Sequence, residues 1–334
     1  MARLRMNQAI SRAISEEMDR DERIIVLGED VAVAEGPFKT SEGLLARFGS
    51  SRVRDTPISE MGFVGAAVGA AMTGLVPVVE IMFVEFLGVA LDQLVTEAAM
   101  MRHLSADQFT VPLVVRASVG SGLGFGCQHS QTLERWMFGT PGLKIAAASG
   151  ARSAYELLKS AIRDPDPVVL LEPRALYGAR EEVPGDVTVR PLGRAEVVQA
   201  GSDATIVTLG QTVGVAKAAA GGARWSADII DLRTLLPWDQ DTVLESVSRT
   251  GRLVIVEENQ YTGGWGAHIA AHVAGVSFGD LRAPVLRITA PDVHVPYTKD
   301  LEERFLPSPD YVASQVEALI STDRIPPHWW EAWS

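Results

Sequence analysis

The chain has 334 residues, which at roughly 150 residues per domain predicts two domains. Its 30 basic and 42 acidic residues leave a formal charge of −12, which argues against nucleic acid or an anionic membrane as the main partner, since both demand a basic face. With 47% hydrophobic and 22% charged residues the chain fits a folded globular protein rather than a disordered one, and its single Cys127 rules out an internal disulfide or a cysteine-based zinc site and allows the cytoplasm.

Residues 6–20 carry apolar side chains at helical spacing with a charged far side, so a helix is predicted there. Residues 1–8 lack the apolar stretch and small-residue cleavage site of a secretory signal, so none is expected, and no run of about 18 apolar residues follows that could span a membrane. Residues 24–30 read as a buried strand that ends in Gly28, Glu29 and Asp30. The apolar stretch 62–94, interrupted by Glu80, Glu85 and Asp92, reads as helix, strand, helix. In its first helix Gly62, Gly65 or Ala66, Gly69 or Ala70, and Thr73 share a face small enough for close backbone approach, inside the domain or at a subunit interface. Strands are predicted at 76–83, 111–116, 144–148 and 168–172, with a helix at 153–163. Residues 180–194 lose the pattern and read as a linker. Beyond them, strands at 204–209, 228–232, 252–257 and 285–289 alternate with helices. Short buried strands between helices predict an α/β fold with a parallel sheet, followed by a smaller α/β domain. No internal repeat or low-complexity segment is present. The tail 326–334 holds Trp329, Trp330 and Trp333 and reads as a cover for a groove or a partner.

The Gly-rich run Gly120-Ser-Gly-Leu-Gly-Phe-Gly126 has neither the Lys-Ser/Thr of a phosphate-binding loop nor dinucleotide spacing. It does follow a strand of the expected parallel sheet, at the end where α/β ligand sites gather. His129, just beyond it, is therefore a catalytic candidate. Glu60 opens a predicted helix, so it is a cap or dipole partner, or, if its apolar flanks Ile58, Met61 and Phe63 bury it, a functional acid. His268 and His272 have the i, i+4 spacing of a zinc pair but lack a third ligand nearby, which favours an ordinary helix face. Asp164-Pro-Asp166-Pro167 reads as a turn that could also hold a hard cation. No G-x-S-x-G elbow is present.

Asp55-Thr-Pro-Ile-Ser-Glu-Met-Gly62, Phe83-Val-Glu-Phe86 with Asp92-Gln93, Gly126-Cys-Gln-His-Ser-Gln131, Pro141-Gly-Leu-Lys144, Ala161-Ile-Arg-Asp164 and Asp231-Leu-Arg-Thr-Leu235 occur in the order of one family. Over almost its whole length the chain resembles the beta subunit of the thiamine-diphosphate-dependent decarboxylase of 2-oxo acid dehydrogenase complexes. The resemblance implies a transketolase-like pyrimidine-binding domain over 1–185, a linker at 186–200 and a transketolase C-terminal domain over 201–334. It implies an alpha subunit in an α2β2 heterotetramer, which carries the magnesium and diphosphate motif that this chain lacks. It implies a 2-oxo acid or acetoin as substrate and a lipoyl-bearing acyltransferase as acceptor.

By the same resemblance Glu60 contacts the aminopyrimidine and drives its tautomer shift, Phe86 packs on that ring, and His129 lies near the substrate and the incoming lipoyl group. Leu113, Ala161, Ile162, Asp164 and Asp166 fall where related subunits bind a structural potassium ion, mostly through backbone carbonyls; Asp166 stands where Asn is common. Glu85 replaces a usual Asp or Asn, His268 replaces a usual Glu, and the Trp-rich tail has no counterpart. Phe83-Val-Glu-Phe-Leu-Gly is similar to acetoin-cleaving members and Ser59-Glu-Met-Gly-Phe to pyruvate-specific ones. Two other readings compete: a self-sufficient transketolase-type enzyme, opposed by the missing diphosphate motif, and a non-enzymatic scaffold, opposed by the presence of Glu60 and His129.

Overall fold

The structure, a computed structural model, describes residues 2–185 and 189–333. Residues 186–188 of the expected linker, Ser334 and the Trp333 side chain lie outside the described residues. The chain divides into two compact units, neither of them a continuous stretch. The first takes the residues up to Val119, then Trp136–Leu192 and Leu235–Pro237; the second takes Gly120–Arg135, Gly193–Thr234 and the residues from Trp238 on.

The first unit is built on a seven-stranded sheet. Its order is Thr234–Leu236, Lys144–Ala147, Val168–Pro173, Val114–Val119, Val76–Ile81, Ile24–Gly28, Val53–Asp55. From Lys144–Ala147 to Val53–Asp55 every pairing is parallel. The three central strands are buried along their whole length, as expected where helices cover both faces of a parallel sheet. Helices Met6–Arg20 and Ala151–Ile162 pack together, with Ile10, Ile14, Tyr155 and Leu158 in one core. The strand expected at 111–116 begins only at Val114; Pro112 has no N–H to give a ladder. The linker expected from residue 180 begins instead with a strand, Arg180–Val183, antiparallel to Ala2–Arg5. This ribbon is half exposed, so its charged sequence carried no apolar signal.

The second unit has a five-stranded sheet in the order Leu286–Ala290, Leu253–Gln260, Ala204–Thr208, Ala227–Asp231, Glu196–Gln199. The first three pairings are parallel and the last antiparallel. Among the described residues no helix is long and apolar enough to cross a membrane.

Candidate cofactor site

In a parallel sheet the carboxyl ends of the strands share one edge, and ligands collect there. Strands Val76–Ile81, Ile24–Gly28 and Val53–Asp55 are neighbours, so the loops after Gly28, Asp55 and Ile81 emerge side by side. Gly28 makes this possible by size: a Cβ there would lie 2.7 Å from Glu80 O and 2.8 Å from Val31 Cγ1. The Thr56 N–H donates to Gly28 O at 3.0 Å. The Asp55 carboxylate accepts from the Ala32 and Val33 N–H groups at 2.7 and 3.2 Å. The loops are thereby tied to each other rather than left open.

Glu60 is the first residue of helix Glu60–Met72, and the residue before it, Ser59, makes no side-chain cap. Glu60 is 7% exposed and, among the described residues, has no hydrogen bond or cationic partner. Glu29 lies close enough for the two charges to repel: burial first, then the Glu60 and Asp30 carboxylates, raise the Glu29 pKa. Glu29 Oε1 and Thr56 Oγ1 are buried without a hydrogen-bond partner. Sequence reasoning marked Glu60 but gave Glu29 no role; the signal was an acidic pair closing an apolar strand at the ligand edge.

Phe86 ends the short turn Val84–Phe86 and is half-buried. Its ring meets Phe83 edge-on at 5.8 Å, and Phe83 meets Phe38 at 5.9 Å. The Arg174 guanidinium lies 4.9 Å from the Phe83 ring centre. Beneath runs a charge network the sequence did not reveal. Arg116, 1% exposed, donates to Glu80 at 2.8 Å and to both oxygens of Glu172 at 2.7 and 2.9 Å. Thr40 and Tyr177 hydroxyls donate to Glu80 and Glu172 at 2.7 and 2.8 Å. Burial works against the Arg116 charge, but Glu172 and Glu80 outweigh it and raise its pKa.

His129 belongs to the segment Gly120–Arg135 of the second unit. It is half-buried, and its N–H donates to Gly126 O at 3.2 Å. Glu60 and Phe86 belong to the first unit.

The five residues expected around potassium are gathered in the first unit, with Leu113, Ala161 and Ile162 buried. Lys144 Nζ lies 2.7 and 2.8 Å from the two Asp164 oxygens and 3.1 Å from Asp166. Arg102 Nε donates to Asp166 at 2.7 Å. Leu113 O already accepts from Val168 N–H at 2.9 Å, and Ala161 O from Asp164 N–H at 3.2 Å. The side-chain oxygens here are neutralised by the chain's own cations and do not fit a further one.

The pyrimidine-binding domain of transketolase matches residues 2–180, and the transketolase C-terminal domain matches residues 193–312. A pyruvate dehydrogenase E1 component subunit beta of Rhizobium meliloti (strain 1021) is 43% identical over 325 residues, 96% of this chain and 70% of that protein. The 2-oxoisovalerate dehydrogenase subunit beta of Bacillus subtilis (strain 168) is 39% identical over 316 residues, 93% and 97% of the two chains. The chain belongs to the family of 2-oxo acid dehydrogenase E1 beta subunits. This favours the E1 beta reading over the self-sufficient enzyme and the scaffold. The fold is shared with a split-gene transketolase described as an inactive beta4 tetramer, at TM-score 0.79, 23% identity and coverage of 97% and 100%.

Against this family background two further sequence features find their places. The rings of His268 and His272 stand edge-on to Trp238 at 6.5 and 5.3 Å. Among the described residues no group of three or more His, Cys, Asp or Glu could hold a metal. The tail folds back on its own unit: His328 stacks on Trp330 at 4.4 Å, Tyr261 meets His328 at 5.1 Å, and Trp329 N–H donates to the Tyr311 hydroxyl at 3.1 Å.

Proposed function

We propose that this E1 beta subunit supplies the pyrimidine half of a thiamine diphosphate site. An alpha subunit completes the site with the magnesium ion and the diphosphate pocket, in an α2β2 assembly. The observation that carries the reading is Glu60, 7% exposed at the start of the helix that follows the carboxyl edge of the sheet, with no hydrogen bond or ion pair among the described residues and with the Glu29 carboxylate near enough to feel its charge. When bound, thiamine diphosphate supplies the carbon nucleophile for decarboxylation of a 2-oxo acid. Glu60 would hold, and exchange, a proton between its carboxyl oxygen and a ring nitrogen of that ligand. Phe86 would offer its ring face, and the Arg116 network would keep the strands below it in register. His129 would serve the step in which the acyl group passes to a lipoyl acceptor. A potassium ion near Leu113, Ala161 and Ile162 would rely on backbone carbonyls, since Lys144 and Arg102 hold both carboxylates. The free Cys127 suits a reducing compartment, and we place the protein in the cytoplasm.

Relatives named for pyruvate and for 2-oxoisovalerate support a 2-oxo acid substrate. The test is co-expression with an alpha subunit and assay of pyruvate, a branched 2-oxo acid and acetoin with an artificial electron acceptor. Turnover of a 2-oxo acid by the assembly is expected, with only weak cofactor binding to the isolated chain in calorimetry. Tight, magnesium-dependent binding by the isolated chain would overturn the half-site.

A further inference from the structure

The run Gly120–Gly126 lacks a phosphate-binding motif, yet it has the backbone of an anion cradle. Gly120, Gly122, Gly124 and Gly126 have φ of +95°, +102°, +73° and +72°. Left-handed glycines alternating with other residues turn backbone N–H groups out of the chain's own ladder and leave them free to bind negative charge.

Two of the chain's own carboxylates fill it. The Gly122 and Gly124 N–H groups donate to Glu302 Oε1 and Oε2, each at 2.8 Å. The Ser121 N–H donates to Glu258 Oε1 at 2.6 Å. Ser121 Oγ lies 2.9 Å from Glu258 Oε1 and 3.1 Å from Ser130 O, so its one proton serves either. Glu302 and Ser121 are each 2% exposed and Glu258 is 9% exposed. At its far end the loop is closed by Gly120 N–H to Gln131 O at 3.1 Å. Gly126 sits so near Tyr297 that a Cβ would lie 2.9 Å from the ring. Tyr297 and Glu302, five residues apart in the sequence, thus hold the same loop that presents His129 three residues after Gly126.

We propose that Glu302, together with Glu258, positions His129 by filling the amide cradle of the loop that carries it. Both are positioning residues, since neither needs to touch a substrate. The proposal rests on the reading of His129 as an active-site residue. It assigns a task to the segment 297–302, to which no sequence motif pointed.

The test uses the assembled enzyme. Glu302→Gln keeps the shape but turns one acceptor oxygen into an NH2 group that faces a glycine N–H. It should lower turnover with a lipoyl acceptor at least about tenfold, the equivalent of about 1.4 kcal/mol, with the melting temperature nearly unchanged. In a His129→Ala background the same change should add less than about twofold, because coupled residues are not additive. Additive losses would overturn action through His129. Amide hydrogen exchange across residues 121–124 should quicken at least about tenfold in Glu302→Gln, and unchanged exchange would overturn the clamp itself. If His129→Ala alone proves inert, the reading of His129 fails while the exchange result still decides the clamp. Should Glu302→Gln not assemble, Glu302→Asp, which shortens the reach by one methylene, is read in the same two assays with smaller losses expected; none in either would overturn the proposal.

Discussion

Glu80 and Glu60 are both buried carboxylates of the first unit, 6% and 7% exposed, at strand and helix positions that the sequence makes equally apolar. Glu80 shares Arg116 with Glu172 and takes a second donor from Thr40. Among the described residues Glu60 has no hydrogen bond or ion pair, and its charge acts on Glu29. A cluster in which each charge meets its opposite and each donor finds an acceptor fixes structure. A carboxylate on a buried residue that has no donor of its own is open to completion by another group. The lesson of the pair is that burial does not mark a functional acid; burial without a partner does.

Three experiments would break or sharpen this contrast, and the largest effect is expected in the closed network. Arg116→Met should cost about 3–5 kcal/mol, because it leaves Glu80 and Glu172 buried without a cation. Urea unfolding of the assembled protein measures it, and a loss under about 1 kcal/mol would make the network dispensable. In the open pair the effect should fall on activity instead. Glu60→Gln should reduce turnover more than about a hundredfold while melting stays level or rises, since the change removes a repulsion with Glu29. Near-normal turnover in the intact assembly would reduce Glu60 to a helix-start residue.

The smallest effect belongs to Glu258, which stands between the two cases: it is hydrogen-bonded, but by the neutral Ser121 and Gln211. Burial, helped by the Glu134 carboxylate, raises its pKa from 4.5 to about 7. The folded state therefore holds a proton that the unfolded state releases above about pH 4.5. Stability contributed by that proton is fully present below about pH 4.5 and lost as pH rises through about 7, on the order of 3 kcal/mol. Glu258→Gln should be accommodated by a flip of the Gln211 amide. The gap in unfolding free energy between variant and wild type should widen in the variant's favour from pH 5 to pH 8. A constant gap across that range would show that Glu258 stays ionised throughout.

Much of the fold was legible because both sheets are mainly parallel and buried. Continuous apolar strands such as Val76–Ile81 and Val168–Pro173 announce themselves. Strands Arg180–Val183 and Glu196–Gln199 did not, since each is half exposed and antiparallel, with charges where the pattern should alternate. The proposed site residues Glu60, Phe86 and His129 were marked through ordered motifs. The charges of Glu80, Arg116 and Glu172 were visible inside apolar strands, but their pairing depends on strand order, which period alone does not give. Glu29, Glu258 and Glu302 escaped for a related reason: their meaning lies in partners far away in sequence, and Glu302 is 180 residues from Gly122.

The interleaved path of the chain bears on how the protein is made. Strand Thr234–Leu236 borders the sheet of the first unit, although that unit's other residues end at Leu192. On the ribosome, the first unit therefore stays incomplete until about residue 237 has cleared the exit tunnel, while the Gly120–Arg135 segment waits longer still for Glu258 and Glu302. Cutting the gene near residue 190 would not yield two modules that mature separately: one fragment would lack an edge strand, and the other the loop that bears His129. Contacts that close long loops slow folding as a class, and the pairing of Gly122 with Glu302, 180 residues apart, is one of them.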